Sequence, residues 1–229
     1  MGFTLDKVVP WGRSFDEYVS MFGLTASDLD LRIIGCGDGP ASFNSGLTIR
    51  GGRAVSVDPI YAFGAADIRR RINETYETVM AQMRENMAAY VWDRISSVEE
   101  LGRLRTASME EFLSDYEAGR AAARYVAGEL PKLPFKDGEF DMALSSHFLF
   151  LYSEQLSLEF HVGSIEEMLR VAREVRIFPL LSLDGNPSPH LPHVIGHFNG
   201  LGLRPVARHV GYEFQRGGTE MLVIGPGTE

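Results

Sequence analysis

A glycine-rich turn followed by an acid is the part of the sequence with the clearest chemical meaning. Residues 31–39 read LRIIGCGDG, an apolar run ending in glycines at 35, 37 and 39, and Asp58 follows nineteen residues after Gly39. Glycines lack the β-carbon that would keep a ligand away from the backbone, and they permit positive φ angles. In nucleotide-binding α/β folds, an acid at the tip of the second strand holds the ribose diol. The spacing therefore predicts a site for an adenosine-containing cofactor.

The same turn argues against two common cofactor classes. A dinucleotide fingerprint needs a glycine or alanine three positions after its second glycine, and here that position is Pro40. This disfavours a nucleotide-dependent oxidoreductase. The sequence also lacks the Gly-Lys-Ser/Thr turn that cradles phosphates in P-loop proteins. The Gly-x-Gly-x-Gly form instead resembles the turn of class I S-adenosylmethionine-dependent methyltransferases, whose cofactor carries no phosphate.

A second segment extends this resemblance. Residues 125–141, YVAGELPKLPFKDGEFD, are similar to a run in methyltransferases of quinone and sterol biosynthesis, where a third strand ends in an acid and Phe-Asp opens the fourth. The similarity covers roughly residues 30–60 and 123–183. It implies one α/β domain over residues 1–229 with a Rossmann-like methyltransferase fold. The expected sheet is mostly parallel and seven-stranded, with helices on both faces and an antiparallel C-terminal hairpin.

The resemblance also assigns residues to an S-adenosylmethionine site. The glycine turn would pass close to the methionine and ribose portions, and Asp58 would accept hydrogen bonds from both ribose hydroxyls. Pro59 and Ile60 would pack on the adenine, while Glu129 would accept from its amino group beside Leu130. The full set expected near the cofactor is Arg13, Gly35, Cys36, Gly37, Gly39, Asp58, Pro59, Ile60, Glu129, Leu130, Ser145 and Ser146. Within it, Cys36 is expected to be a small buried thiol, because nothing nearby supplies a base to activate it.

One departure from the family pattern concerns the methionine end of the cofactor. The family usually has an acid two positions before the first glycine, where this sequence has Ile33. Another residue must then hold that end. Arg13, which precedes the first predicted helix, is a candidate for pairing with the cofactor's carboxylate, the alternative being an ordinary surface arginine.

Several histidines raise catalytic and metal hypotheses. Ser145, Ser146 and His147 end the fourth predicted strand, where ligands of open α/β sheets gather. His147 is either a general base, since an ordinary pKa of about 6.5 suits that role, or a residue that only orients its neighbours; Tyr152 is a weaker pocket candidate. A zinc site at His190, His193 and His197 has little support, because two prolines interrupt that segment and no acid lies between the last two histidines.

Composition narrows the partners. The chain has 229 residues with a formal net charge of −9, which disfavours a broad nucleic-acid surface. No apolar run approaches the roughly 20 residues of a membrane span, and the first ten residues lack a signal-peptide pattern. A single cysteine excludes an internal disulfide. These features favour a cytoplasmic protein acting on a small-molecule acceptor.

The segment 64–121 is far longer than the family minimum between the second and third strands. Its apolar residues follow helical spacing on two faces: Ile68, Ile72, Val79, Met83 and Met87 on one, and Val98, Leu101, Leu104, Phe112 and Tyr116 on the other. This predicts a helical insertion, either a lid over the acceptor pocket or a scaffold or homodimer contact. A non-catalytic cofactor-binding protein that works through this insertion is the alternative to an enzyme.

Overall fold

One seven-stranded sheet organises the molecule, as the computed structural model shows for residues 9–225. The strands run in the spatial order β3-β2-β1-β4-β5-β7-β6. Strands β1 to β5 are mutually parallel, while β7 is antiparallel to both β5 and β6. Their bounds are β1 (Arg32–Cys36), β2 (Arg53–Val57), β3 (Tyr125–Val126), β4 (Phe140–Ser146), β5 (Ala172–Phe178), β6 (Val206–His209) and β7 (Glu220–Ile224). The predicted sheet and its antiparallel C-terminal pair are confirmed.

Helices cover both faces of this sheet. They are α1 (Phe15–Met21), α2 (Ala26–Leu29), α3 (Phe43–Ile49), α4 (Ala65–Glu85), α5 (Val98–Ala121), α6 (Leu158–Val171) and α7 (Leu191–Gly200). Among these helices none combines the length and the apolar character needed to cross a membrane. The described elements alternate between strand and helix through most of the chain, which is the pattern of a parallel sheet with crossover connections.

The central strands are buried on both faces, which explains their continuous apolar sequence. Successive side chains of a strand point to opposite faces, so Ile33 packs in one core and Ile34 in the other. The first core lies under α1 and α3, and the second lies under α6 and α7. A bidentate ion pair between Arg32 and Asp141 joins β1 to β4 near their N-terminal ends, with N–O distances of 2.9 Å.

The leading helical segment is divided near its predicted stop. Apolar spacing predicts a leading helix over 13–28, with Gly23 as a stop signal and a capping box between Ser14 and Glu17; α1 ends at Met21 and α2 begins at Ala26. The break falls at Gly23, whose φ of 54° reverses the chain after the helix. The capping box predicted between Ser14 and Glu17 is present, with each residue accepting from the other's backbone N–H.

The segment 64–121 forms two long helices, α4 and α5, connected through residues 86–97. Most of the predicted apolar residues are buried, but Met87 lies beyond the end of α4 and Leu104 faces outward, so both are exposed. Helix α5 packs against α3 and the body of the domain, while α4 packs on α5. The two helices of the insertion therefore occupy different layers. Its service as a homodimer contact stays a prediction.

Candidate functional site

A cavity of about 830 Å³ opens at the carboxyl edge of the parallel strands. It lies beside β1 and β4. The strands that follow β1 are added on one side of it and those that follow β4 on the other, and open α/β sheets bind ligands at this point of the strand order. Ten of the residues predicted for the site line it: Arg13, Gly37, Gly39, Asp58, Pro59, Ile60, Glu129, Leu130, Ser146 and His147. Gly35, Cys36 and Ser145 lie outside the lining; Cys36 and Ser145 are fully buried.

The glycine turn has two positions at which the backbone conformation disfavours a side chain. Gly37 and Gly39 have φ angles of 71° and 54°. A β-carbon at Gly37 would come within 2.8 Å of the Phe148 ring, whereas the space next to Gly39 is open. The turn is therefore packed from one side at Gly37 and open at Gly39, where a ligand can approach the backbone.

Asp38 is the site residue that the sequence reasoning missed. Its carboxylate folds back over Gly35, where a β-carbon would overlap it. It accepts hydrogen bonds from Tyr18 Oη at 2.8 Å and from Ser56 Oγ at 2.6 Å, and it lines the cavity. Burial raises the pKa of Asp38 to about 6, although both hydrogen bonds favour the ionised form. The signal available in the sequence was an acid inside the turn itself, together with the missing acid at Ile33.

Asp58 is held directly against the turn. One carboxylate oxygen accepts from the backbone N–H of Gly39 and the other from that of Ile60, both at 2.9 Å. Burial raises the pKa of Asp58, and these two backbone bonds oppose the shift. A carboxylate has about four lone-pair sites, so each oxygen can still accept a hydroxyl donor from the cavity.

The loops that follow β2 and β3 form the neighbouring wall. Pro59 opens a short 3₁₀ turn over Pro59–Ala62, for which Asp58 is the N-terminal cap. Across the cavity, Leu130 is buried and Glu129 is exposed at the rim. An apolar slot with one acid at its edge can hold a flat heterocycle with an exocyclic amine.

His147 follows the last residue of β4 in an unusual conformation. Its φ of 51° is uncommon for a residue with a side chain, and such outliers concentrate at functional sites. Its backbone N–H donates to Phe178 at 2.7 Å, and its Nδ1 lies 3.0 Å from Ser146 Oγ. Burial, with the positive charges of Arg13 and Arg105, lowers the pKa of His147 well below 6.5. The imidazole is therefore neutral at neutral pH.

Arg13 brings a positive charge into the cavity. Its Nη1 donates to the Trp11 carbonyl at 3.1 Å, while its buried Nε has no partner among residues 9–225. The nearby carboxylate of Glu17 is already occupied by Arg105, whose Nη1 and Nη2 lie 2.6 and 2.7 Å from it, and by Tyr212 Oη at 2.9 Å. Burial, and then the charge of Arg105, lower the pKa of Arg13, which still leaves it ionised.

The rest of the cavity is apolar and aromatic. We call this part the apolar chamber; it is lined by Trp11, Val79, Met83, Tyr90, Tyr152 and Phe214. The Tyr90 and Phe214 rings pack with centroids 4.9 Å apart. These residues come from the chain before α1, from α4, and from loops near residues 90, 152 and 214. The sequence pointed to Tyr152 and to methionines of the insertion, but no local pattern indicated Tyr90 or Phe214.

The three C-terminal histidines are not brought together as metal ligands. His190 Nε2 lies 3.0 Å from the Ser153 carbonyl, and His197 pairs with Glu166 at 2.9 Å on the exposed side of α7. Within residues 9–225, no group of three or more His, Cys, Asp or Glu side chains is arranged to hold a metal ion.

Comparison with known proteins finds a relative that matches nearly the whole chain. It is the uncharacterized protein MJ0045 of Methanocaldococcus jannaschii, 32% identical over 221 residues, which are 96% of this chain and 97% of the archaeal one. The chain belongs to the same family as MJ0045. No family model matches the chain.

Solved structures with a similar arrangement include two methyltransferases. Magnesium protoporphyrin IX methyltransferase from Synechocystis PCC 6803, crystallised with S-adenosylmethionine, is 12% identical with a TM-score of 0.48, over 93% of this chain and 78% of the other. A SAM-dependent methyltransferase from Aquifex aeolicus is 13% identical with a TM-score of 0.42, over 91% and 90% of the two chains. At such identities a likeness concerns the fold at most, so the fold assignment rests on the strand order and directions described above.

Proposed function

We propose that this member of the MJ0045 family transfers a methyl group from S-adenosylmethionine to a small-molecule acceptor in the cytoplasm. The observation that carries the proposal is the contact between Asp58 and Gly39, which sets a ribose-binding acid against an open glycine turn. The same cavity continues into the apolar chamber, so one opening offers room for a nucleoside cofactor and a second molecule. Its volume of about 830 Å³ lies in the upper part of the range of roughly 300–1,000 Å³ that is usual for ligand pockets.

The residues present fit the ribose, adenine and ammonium groups of the cofactor. Asp58 would accept from the ribose hydroxyls, Pro59, Ile60 and Leu130 would enclose the adenine, and Glu129 would accept from its amino group. Asp38 would supply the acid that the family has at the position of Ile33, and its buried carboxylate would hold the methionine ammonium. Three predicted residues would support the site without lining it: Gly35, Cys36 and Ser145. Gly35 leaves room for the Asp38 carboxylate, and the other two are buried under the cavity floor.

When bound, S-adenosylmethionine supplies an already activated methyl group on a sulfonium, so the protein's task is mainly alignment. Ser146 and His147 lie at the end of β4 between the glycine turn and the apolar chamber. The neutral imidazole of His147 can accept a proton from a hydroxyl or amine of the acceptor. The apolar walls exclude water from the same region.

Calorimetric titration of the full chain with S-adenosylmethionine and S-adenosylhomocysteine tests the cofactor assignment. Asp58→Ala removes two charge-assisted hydrogen bonds, each worth roughly 1.5–3 kcal/mol, so the Kd should rise at least about tenfold. Asp93→Ala, at an exposed position between α4 and α5, is the matched control and should leave the Kd unchanged. Because Asp58 also caps the turn at Ile60, a thermal melt must show that the variant is folded.

Turnover separates an enzyme from the alternative of a non-catalytic binding protein. The purified protein is incubated with S-adenosylmethionine and fractionated small molecules, and S-adenosylhomocysteine release is followed by mass spectrometry. Release that depends on a fraction supports the transferase. Binding of the cofactor with no release in any fraction would favour regulation or assembly.

A further inference from the structure

The two ends of the cavity carry opposite charges. Asp38, Asp58 and Glu129 surround the end beneath the glycine turn, whereas Arg13 lies toward the apolar chamber. At the exposed rim, α4 contributes two acids and two arginines, and Arg70 is paired there with Asp67 at 2.8 Å. Arg13 donates from its Nη1 to the carbonyl of Trp11, which lines the apolar chamber, so it places a positive charge beside the chamber.

Arg13 lies near the Glu17 carboxylate but makes no direct ion pair with it. The Glu17 carboxylate is shared between Arg105 and Tyr212, and Arg13 makes no ion pair with any residue that the structure describes. Both Arg13 and Arg105 keep a buried Nε without a hydrogen-bond partner in the described chain. An unpaired charge in a partly buried position is costly, so an anion that enters the chamber would stabilise this arrangement.

The position of Arg13 favours the acceptor over the cofactor as the source of this anion. Its charge acts on His147, Tyr90 and Tyr152, which lie around the chamber. The shifts of Asp38 and Asp58 arise from burial, from their own hydrogen bonds and, for Asp38, from Asp58. Arg13 also acts on Tyr18, the partner of Asp38, but its hydrogen bond to the Trp11 carbonyl places it beside the apolar chamber.

The chamber walls suit a flat, unsaturated body. Tyr90 and Phe214 form a pair of packed rings. Trp11, from the chain before α1, has its ring centroid 5.8 Å from that of Tyr76. Aromatic walls bind planar rings by stacked and edge-to-face contacts, and Met83 adds an adaptable surface.

We propose that the methyl acceptor is an aromatic carboxylic acid whose ionised carboxylate pairs with Arg13 while its ring lies in the apolar chamber. The inference rests on the proposed methyl transfer and names its substrate class. It assigns Arg13 to the acceptor, where the sequence pattern alone suggested the carboxylate of the cofactor. A guanidinium binds a carboxylate through two parallel hydrogen bonds, so Arg13 fixes both the charge and the orientation of the acceptor.

Matched acid and amide probes test the proposal. The full chain is saturated with S-adenosylhomocysteine and titrated by calorimetry with 4-hydroxybenzoate and 1-hydroxy-2-naphthoate, and then with the corresponding carboxamides. The acids should bind about tenfold or more tightly than their amides, since a charge-assisted pair is worth roughly 1.5–3 kcal/mol. Arg13→Gln should abolish this preference, Arg13→Lys should retain part of it, and Arg103→Gln, at an exposed position of α5 outside the cavity, should leave it intact.

Two results would overturn the assignment of Arg13. If Arg13→Gln weakens S-adenosylhomocysteine binding about tenfold while the acid preference persists, the arginine serves the cofactor. If a protein that binds S-adenosylhomocysteine takes up acids no better than amides, or takes up neither, the acceptor is not an aromatic acid. The proposed function is tested separately, by the first titration. If the wild-type protein does not bind S-adenosylhomocysteine, the proposed methyl transfer is contradicted before any acid or amide is added.

Discussion

The raised pKa of Asp38 links the stability of the fold to the proposed binding of a cationic ligand. Its carboxylate is buried beneath the glycine turn with a pKa of about 6, well above the ordinary value of 3.8. Such a raised pKa means that the fold favours the protonated form. The associated stability is complete below about pH 4 and is lost as the pH rises through about 6. At neutral pH the ionised group therefore costs stability in the absence of a cationic ligand.

Asp38→Asn should separate these two effects. At pH 7.5 the ligand-free variant should have an unfolding free energy equal to that of wild type or higher, by up to about 3 kcal/mol, which is the penalty implied by the raised pKa. Its Kd for S-adenosylmethionine should rise about tenfold or more, because the ammonium loses a charged partner. Urea denaturation and calorimetry measure the two quantities.

Ser56→Ala is the control for this experiment, since it removes one hydrogen bond to Asp38 and keeps the charge. Wild-type affinity for S-adenosylmethionine should also weaken as the pH falls through about 6, and Asp38→Asn should lack that dependence. A variant that is strongly destabilised but binds normally would show that Asp38 is only a structural residue.

His147 leads to a different pH prediction. The sequence places its ionisation in the ordinary histidine range, but burial and two neighbouring arginines lower the pKa well below 6.5. Because the imidazole stays neutral at higher pH, initial rates of S-adenosylhomocysteine release should show no His147 ionisation between about pH 6.5 and 8.5. His147→Asn should lower kcat with little change in the cofactor Kd if the residue is a base.

The exposed His209→Asn variant is the matched control for His147. An unchanged kcat in His147→Asn, together with weaker cofactor binding, would make His147 an orienting residue. A rate that rises through a pKa near 6.5 in wild type and not in the variant would contradict the electrostatic argument.

At the scale of elements, the two helices of the insertion have different surroundings: α5 is anchored to the body of the domain, and α4 forms a wall of the cavity. Arg105 of α5 is fully buried in its ion pair with Glu17 of α1, and Ser108 Oγ lies 3.1 Å from Ser42 Oγ. Helix α4 instead places Ile68, Val79 and Met83 along the cavity. The two hypotheses drawn from the sequence, scaffold and lid, thus correspond to different helices.

Hydrogen exchange should distinguish α4 from α5. Amides of α5 should be strongly protected with or without ligands, because opening that helix breaks a buried ion pair. Amides of α4 should gain protection when S-adenosylhomocysteine and an acceptor-site probe fill the cavity, as expected for a wall that closes over them. Exchange measured by mass spectrometry reports both segments in one experiment, and equal protection of α4 in both states would favour a rigid scaffold.

At the scale of the whole molecule, the cavity ties distant parts of the chain together. Its lining includes Pro10 near the start of the described chain, Ser146 in the middle and Gln215 near the end. A ligand in this cavity therefore stabilises the whole domain rather than one segment. Saturation at 100 times the Kd contributes about 2.7 kcal/mol.

Thermal unfolding should accordingly show one transition that moves with ligand. For a domain of this size, about 2.7 kcal/mol corresponds to a rise in Tm of roughly 5–10 °C, measurable by scanning calorimetry with S-adenosylhomocysteine. Adenine alone, which cannot engage Asp38 or Asp58 through a ribose or an ammonium, is the matched weak ligand. A separate transition for α4 and α5 that ignores the ligand would contradict this view.

The sequence by itself determined the fold class and the glycine-turn side of the cavity, where the cofactor is proposed to bind. Those features depend on short-range patterns: apolar strands, a glycine turn, and an acid at the tip of the next strand, where Asp58 lies beside Gly39. Parallel strands end at one edge of a sheet, so residues that follow them are brought together by topology alone. Strand β2 also lies between two local signals, Gly52 and Asp58.

Only the tertiary structure decided the apolar side of the cavity, where the acceptor is proposed to bind, and the ionisation of the charged groups. The apolar chamber joins Trp11, Met83, Tyr90 and Phe214, whose proximity depends on how α4 packs and how the loops fold, so no local pattern encodes it. The same is true of Asp38, because its pKa follows from burial and not from residue type. Long-range packing determines how deeply each charged group is buried and which charges lie near it. These surroundings decide which groups are neutral and which are ionised.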